Sequence, residues 1–118
     1  MKRRVFRNNN ENIYVTNADI NKSISETLKN KEQHQYINEN LAVFSQLDKV
    51  IENAKEIGYS QKDNKGRNYK DYKYYVSNVF IDEIPFVVEF DTRLQLGETR
   101  NFERHFRLER VYPIKVKK

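Results

Sequence analysis

The order of hydrophobic patterns along the chain predicts an α+β fold, with two or three N-terminal helices packed on a four-stranded antiparallel sheet. In the first half of the chain apolar residues recur every three or four positions, as on one face of a helix. From Tyr72 onward they alternate with other residues, as along a half-buried strand. Helices that precede a run of strands are typical of the α+β class.

A capping signal predicts where the first helix begins. Residues 13–15 (Ile-Tyr-Val) form a short extended segment, and Thr16 is followed three residues later by the acid Asp19, as in a capping box. We expect this helix to end near Asn30. Its predicted apolar stripe consists of Ile20, Ile24 and Leu28.

The basic segment before this helix has two interpretations. Asn8, Asn9 and Asn10 favour a turn. Residues 1–7 then form either a short strand or a disordered arm. The chain is therefore expected to be a single domain over residues 1–118, in which residues 1–12 are a candidate flexible basic arm.

A longer apolar pattern predicts the next helical segment. Its members are spaced by threes and fours and comprise Ile37, Leu41, Phe44, Leu47, Val50, Ile51 and Ala54. Ser45 and Asp48 form an internal capping signature, so the segment is either one helix or two with a break near Ser45. Gly58 is predicted to end it.

Alternation predicts the strands of the second half. One face of the first strand carries Tyr72, Tyr74, Val76 and Phe80, and its other face carries Tyr75, Ser77, Val79 and Ile81. After a turn at residues 82–85, the next strand places Phe86, Val88 and Phe90 together, so that the two strands form a hairpin.

Two loops and a final strand complete the prediction. Residues 59–70 and 92–103 are expected to be loops, unless the preceding strand extends through Leu96. The last strand covers residues 104–112, in which Phe106, Leu108 and Tyr112 share one face. Pro113 ends it or marks an edge.

Composition narrows the chemistry. The 118 residues carry a net charge of +5, which favours an anionic partner such as nucleic acid, an acidic protein surface or anionic lipid. The absence of cysteine excludes disulfides, a thiol nucleophile and thiolate metal sites. With two histidines and no zinc-binding spacing, we expect no metal and no cofactor. No apolar run approaches the roughly 18 residues that span a bilayer, so no membrane anchor is expected, and residues 1–6 lack the pattern of an export signal.

The last strand carries the candidate catalytic residues. His105, Arg107 and Glu109 are spaced by two and should project from one face. Metal-free RNA cleavage needs a base, an acid and a cation that stabilises the phosphorane. His105 suits either proton-transfer role, Arg107 suits a phosphate, and Glu109 is a second proton carrier or orients Arg107. The alternative is a solvated sheet face with alternating charges.

Other candidates lie nearby. Glu89 and Asp91 are further candidate carboxylates, with ion pairing to Arg107 or Lys73 as their alternative role. Residues 59–75 contain five cations against two carboxylates, interleaved with tyrosines, which is the composition of a single-strand RNA surface. The candidate substrate-binding residues are Lys65, Arg67, Lys70, Lys73 and Tyr75. The alternative is a solvated loop with several tyrosines in the core.

Three stretches carry a family resemblance: residues 13–24, residues 47–58, and residues 74–90 together with residues 105–108. They resemble the small nuclease domains of the barnase–EndoU–colicin–RelE superfamily, found in polymorphic toxins, phage head-morphogenesis proteins and polyvalent proteins of mobile elements. The usual Asp-Gly turn of similar domains is replaced here by Asp82-Glu83. The resemblance covers most of the chain and implies a metal-independent ribonuclease with helices packed against a four-stranded sheet. It assigns no catalytic residue.

The leading functional hypothesis is a toxin-type endoribonuclease, with transfer RNA as one candidate substrate. It would act in the cytoplasm of a target bacterial cell, delivered as the C-terminal part of a larger toxin or phage protein, and would have an acidic immunity protein as partner. The rivals are a non-enzymatic nucleic-acid-binding or anti-defence protein of a mobile element, and a basic protein-interaction module. The enzyme hypothesis requires His105 and Arg107 to face a cationic, tyrosine-lined groove that is open to water.

Overall fold

Three parts of the chain, residues 3–60, 71–96 and 101–114, are described by a computed structural model. Their strands are β1 (Arg4–Asn8), β2 (Glu11–Val15), β3 (Lys55–Ser60), β4 (Tyr72–Ile81), β5 (Ile84–Leu96) and β6 (Phe102–Pro113). Their α-helices are α1 (Asn17–Lys29), α2 (Ile37–Val43) and α3 (Leu47–Glu52), and a 3₁₀ helix spans Lys31–Tyr36 between α1 and α2. In these parts of the chain the strands form one mixed sheet in the order β1-β2-β6-β5-β4-β3.

The predicted four-stranded antiparallel sheet is wrong. The described residues form a six-stranded sheet, in which β2 pairs with β6 in parallel: Ile13 lies opposite Arg104, and Tyr14 lies opposite His105. The edge strands β1 and β3 are only five and six residues long. Neither strand is long enough to show the extended alternation of residue types that predicts β4. The parallel pair joins segments far apart in the chain, so no local pattern reports it.

The turns of the β1–β2 and β4–β5 hairpins each place two residues in the left-handed backbone region. Between β1 and β2 these are Asn9 at φ 50° and Asn10 at φ 64°, which confirms the predicted asparagine turn. Between β4 and β5 they are Asp82 at φ 51° and Glu83 at φ 66°. Asparagine and aspartate tolerate this region better than other non-glycine residues, and two such residues in succession give the tight turn that suits twisted strands.

Helix α1 begins as predicted but buries a different face. Thr16 Oγ1 accepts a hydrogen bond from the Asp19 N–H at 3.2 Å, and Asp19 Oδ2 accepts one from the Thr16 N–H at 2.8 Å, which confirms the capping box. The predicted apolar stripe is confirmed only at Ile20, which packs against the hydrophobic core. The buried side chains of α1 are Ser23 and Thr27, and the predicted stripe member Leu28 is 56% exposed.

The polar face of α1 is explained by the strand against which it packs. β2 pairs only with the beginning of β6, at Arg104 and His105. Further along β6, the Leu108 N–H donates to Ser23 Oγ at 3.1 Å, and the Val111 N–H donates to Gln33 Oε1 at 2.9 Å. Buried backbone donors need partners, so the helices supply hydroxyl and amide oxygens where a further strand would have supplied carbonyls.

The second helical stretch divides near Ser45, as one of the two predicted alternatives had it. α2 ends at Val43 and α3 begins at Leu47. The predicted stop at Gly58 is wrong, because α3 ends at Glu52 and Gly58 lies within β3 opposite Tyr74. In residues 55–58, pairing of the backbone with β4 therefore outweighs the three- and four-residue spacing of apolar residues that predicts a helix.

One face of the sheet carries the core. The predicted alternation of β4 and β5 is confirmed, and the faces that turn inward carry Tyr75 and Phe90, which are buried and stack with ring centroids 4.9 Å apart. Phe90 also contacts Phe106 of β6 at 4.9 Å, and Phe44 meets Phe106 edge-on at 6.4 Å. This aromatic stack joins the three central strands to the segment between α2 and α3.

The predicted loop at residues 92–103 and one face assignment are wrong. β5 continues to Leu96, as the alternative allowed, and β6 begins at Phe102. An irregularity in pairing with β5 lies opposite Glu89 and Phe90. It inserts one extra residue into β6, so that Val111 is buried beside Leu108 and Tyr112 lies on the other face.

The Ser23 hydroxyl is expected to contribute to stability through the β6 edge. Replacement of Ser23 by Ala leaves the buried Leu108 N–H without an acceptor, which should lower the free energy of unfolding by about 1–3 kcal/mol. Ser25→Ala, at an exposed position of the same helix, is the matched control and should change it by less than about 0.5 kcal/mol. Urea denaturation measures both values. Equal effects of the two substitutions would contradict this account of the edge.

Candidate functional site

The face of the sheet opposite the aromatic core carries a polar cleft. β4, β5 and β6 bring their outward side chains together there, because Tyr74 pairs with Asp91 and Asp91 pairs with Arg107. The cleft has a volume of 640 Å³. Its lining residues are Asn30, Tyr72, Tyr74, Glu89, Asp91, Arg93, Arg107, Glu109 and Arg110.

Arg107 lies at the centre of the charged groups in this cleft. Its Nη2 atom donates to Asp91 Oδ2 at 3.1 Å and to Glu109 Oε1 at 2.8 Å. Its Nη1 atom donates to Glu26 Oε1 of α1 at 3.2 Å. Burial alone would lower the pKa of Arg107, but these carboxylates outweigh it and raise that pKa, so the guanidinium stays charged. Arg107 thus holds carboxylates from a helix and two strands.

Asp91 and Glu109 form a carboxyl pair beside Arg107. Burial, followed by the hydrogen bond and charge of Glu109, raises the pKa of Asp91 to about 9. Burial tends to raise the pKa of Glu109 as well, but its hydrogen bonds with Asp91 and Arg107 lower it overall. Asp91 therefore carries the proton at neutral pH and donates it in a hydrogen bond to the ionised Glu109.

Glu89 lies in the cleft but is held by two neighbours. Arg110 donates to Glu89 Oε1 from Nε at 3.1 Å and from Nη2 at 2.9 Å. The Tyr112 hydroxyl donates to Glu89 Oε2 at 2.5 Å. A carboxylate with both oxygens engaged is better suited to orienting Arg110 than to accepting a substrate proton.

His105 is on the same side of the sheet as Arg107, but its ring is 7% exposed. Nδ1 lies 2.8 Å from Asp19 Oδ2, Nε2 lies 3.1 Å from Glu103 Oε1, and the Tyr14 ring stacks on the imidazole at 5.9 Å. Burial favours the neutral ring, but the two carboxylates outweigh it and raise the pKa of His105. The imidazolium form is favoured, with both nitrogens acting as donors.

The required geometry is therefore met in part. Arg107 faces a cleft bordered by Tyr72 and Tyr74, as the enzyme hypothesis demands. The cleft is not the cationic groove of that hypothesis, because its three arginines are matched by three carboxyl groups. His105 instead borders a smaller neighbouring cavity, and neither of its nitrogens is open to accept a proton.

The two predicted substrate-binding residues that the structure describes, Lys73 and Tyr75, do not line the cleft. Tyr75 is 1% exposed within the aromatic core, so its predicted contact with substrate is wrong. Lys73 projects to the same side of the sheet as Tyr75, and its Nζ atom pairs with Glu11 at 2.7 Å and Glu56 at 3.7 Å. Strand alternation separates both from Arg107. The other three candidates, Lys65, Arg67 and Lys70, lie outside the described residues.

Sequence reasoning missed Arg93 and Arg110 as cleft residues. Arg93 was assigned to a loop, although it shares the alternation of Glu89 and Asp91 along β5. Arg110 reaches the cleft face because of the extra residue in β6, which no spacing rule anticipates. Tyr72 and Tyr74 were named among the interleaved tyrosines, and their alternation with buried Tyr75 was the available signal.

Wider comparisons add no relative. Comparisons with protein-family models, with curated proteins and with solved structures find no match for this chain. Among residues 3–60, 71–96 and 101–114, no helix is long and apolar enough to cross a membrane. Over the same residues, no group of three or more histidine, aspartate or glutamate side chains is arranged to hold a metal ion.

The proton on Asp91 can be tested with an isosteric amide. Asp91→Asn keeps an oxygen for Arg107 and an N–H donor for Glu109, so at pH 8 it should be at least as stable as the wild type. Asp91→Ala removes both contacts and should cost about 2–3 kcal/mol. Because the folded-state pKa of about 9 lies above the ordinary aspartate value of 3.8, wild-type stability should fall between those pH values relative to Asp91→Asn. Chemical denaturation at several pH values measures this. Equal damage by both substitutions at pH 8 would mean that Asp91 is ionised.

The His105 contacts predict a pH dependence of stability in the same direction as that of Asp91. The folded-state pKa of His105 is raised above the ordinary histidine value of 6.5, so the stabilising contribution of the ring is complete below pH 6.5 and is lost as the pH rises through the folded-state pKa. The difference in unfolding free energy between the wild type and His105→Gln should therefore shrink from pH 6 to pH 9. A difference that grows over this range would show that the ring is neutral in the folded protein.

Proposed function

We propose that this chain is a metal-independent endoribonuclease whose site is the cleft around Arg107. The observation that carries the proposal is the position of Arg107 between the carboxyl pair Asp91–Glu109 in a cleft bordered by Tyr72 and Tyr74. A guanidinium binds a phosphate through paired donors, and tyrosine rings stack on exposed bases. These groups together match the needs of a single-stranded RNA segment.

The proposed reaction is a transfer of the phosphoryl group within the RNA strand. Glu109 takes the proton from a ribose 2′-hydroxyl while the 2′-oxygen forms a bond to phosphorus. Arg107 neutralises the charge that builds on the phosphate oxygens. The bond from phosphorus to the 5′-oxygen breaks, and that oxygen takes a proton from the His105 imidazolium. The products are a 2′,3′-cyclic phosphate and a 5′-hydroxyl, and exchange with solvent then removes the proton from Glu109 and returns one to His105.

The protonation states support this division of roles. Glu109 is ionised and partly exposed, so it can accept a proton, and its lowered pKa makes it a weaker base than an ordinary carboxylate. The pKa of His105 is raised, which favours the acid form, so its role in the proposal is that of acid. Asp91 is a positioning residue, because its proton is directed at Glu109 and its own side chain is buried.

The biological setting is part of the same proposal. Transfer RNA is a candidate substrate, and the target bacterial cytoplasm is the candidate place of action. The resemblance to toxin and phage nuclease domains supports delivery within a larger protein and an acidic immunity protein as partner. The basic balance of the chain is compatible with such a partner.

The second candidate is a nucleic-acid-binding protein without catalysis. It is favoured by the occupied state of the charged groups: both His105 nitrogens contact carboxylates, and Arg110 already pairs with Glu89. A phosphate would have to compete with these carboxylates. Binding with a steep dependence on salt and without products would support this candidate.

The decisive measurement is RNA cleavage in the presence of EDTA. Wild-type protein incubated with total bacterial RNA should give fragments with 2′,3′-cyclic phosphate and 5′-hydroxyl ends. Glu109→Gln and Arg107→Lys should each lower the cleavage rate by about 10²–10³-fold, since they remove the base and the paired donors. The matched controls are Glu52→Gln and Arg7→Lys, both at exposed positions outside the cleft, and they should cleave at the wild-type rate.

Three outcomes would reject the proposal. Absence of products in EDTA with RNA still bound would favour the binding protein. Absence of RNA binding at moderate salt would favour a protein-interaction module. Cleavage by Glu109→Gln at the wild-type rate would show that the cleft is not the catalytic site.

A further inference from the structure

A second, smaller cavity adjoins the cleft on the same face of the sheet. It has a volume of 190 Å³, and four basic side chains, Lys22, Arg93, His105 and Arg107, contribute to its lining. Arg93 and Arg107 line both the cavity and the cleft, so the two spaces share a wall of guanidinium groups. The cavity is therefore an extension of the site along β6 towards the first turn of α1.

The carboxylate in this cavity is already committed to contacts within the protein. Asp19 Oδ2 receives the Thr16 N–H at 2.8 Å and lies 2.8 Å from His105 Nδ1. Its charge is thus directed at the helix cap and the imidazole. The four basic side chains of the lining outnumber this carboxylate, and an anion bound there would compete with the carboxylates outside the lining that already pair with His105 and Arg107.

The basic groups are held at defined positions. Arg93 is 9% exposed and His105 is 7% exposed, while Lys22 lies exposed on α1. The Nε atom of Arg107 is buried without a hydrogen-bond partner among the described residues. Two buried cations below an exposed lysine at the rim form an arrangement that binds a compact anion such as a phosphate.

The spacing along β6 matches a nucleic-acid strand. His105 and Arg107 are two residues apart on one face, which corresponds to about 6–7 Å. Successive phosphates of an extended RNA strand are separated by a similar distance. A strand that places one phosphate on Arg107 in the cleft can therefore place the next one between His105 and Lys22.

We propose that the small cavity is a subsite for the phosphodiester adjacent to the one that is cleaved. The inference rests on the proposed function, because it defines where the substrate strand runs beyond Arg107. Its consequence is a substrate class: single strands with at least two consecutive phosphodiesters bind well, and a dinucleotide with one phosphodiester binds poorly.

The test uses an RNA analogue that the protein cannot cleave. A 2′-O-methyl hexanucleotide lacks the attacking hydroxyl, so its affinity reports binding alone. Each phosphate is replaced in turn by an uncharged methylphosphonate, and the affinity is measured for the wild type and for Lys22→Gln. Lys49→Gln, an exposed lysine on α3 away from the cavity, is the matched control.

The expected result is that the effect of neutralising one particular phosphate depends on the presence of Lys22. In the wild type, neutralisation of one phosphate should weaken binding by about fivefold through the loss of its contact with Lys22. In Lys22→Gln the same replacement should have almost no effect, whereas in Lys49→Gln it should keep the wild-type effect. Equal effects at every phosphate position in the wild type and Lys22→Gln, or no binding of the analogue, would overturn the subsite.

Failure of the subsite and failure of the proposed function are distinguishable. If the protein cleaves RNA in EDTA but no phosphate contributes to binding through Lys22, the proposed nuclease function stands and the subsite is rejected. If one phosphate contributes to binding through Lys22 but no cleavage products form, the subsite stands and the proposed nuclease function is rejected.

Discussion

Along one edge, β6 pairs with β2 only at its start, and helices cover the remainder of that edge. The rest of the structure depends on how the backbone N–H groups of β6 are satisfied along this edge. Ser23 of α1 and Gln33 of the 3₁₀ helix accept the N–H groups of Leu108 and Val111. A buried donor without an acceptor is costly, so these contacts determine which face of α1 turns inward. Gln33 is held in turn by Asn40 of α2, whose Nδ2 donates to Gln33 Oε1 at 3.1 Å.

This docking of α1 also decides the electrostatics of the candidate site. With Ser23 directed at the strand edge, the neighbouring acids Asp19 and Glu26 reach the open face of the sheet. They contact His105 and Arg107, the two residues on which the catalytic hypothesis was built. His105 and Arg107 are thus both paired with carboxylates of α1. This pairing affects whether His105 can exchange a proton with a substrate.

The extra residue in β6 is the second structural decision. It falls opposite Glu89 and Phe90, and it brings both Glu109 and Arg110 to the cleft while Val111 returns to the core. Bulges commonly redirect side chains in this way. Without it, regular alternation would place Arg110 on the core side of the sheet, and the cleft would lack the arginine that holds Glu89.

The comparison between sequence and structure separates local from non-local effects. Local chemistry determined the capping box at Thr16, the asparagine turn at Asn9 and the alternation of the β4–β5 hairpin, because each depends on residues a few positions apart. Alternation also placed His105 and Arg107 on one face of the last strand. The parallel pairing of β2 with β6 and the polar inward face of α1 were not predictable, since they depend on contacts between distant segments. Only the tertiary structure decided that His105 is enclosed by Asp19 and Glu103 while Arg107 faces a cleft, because burial and charge pairing arise when the helix meets the sheet.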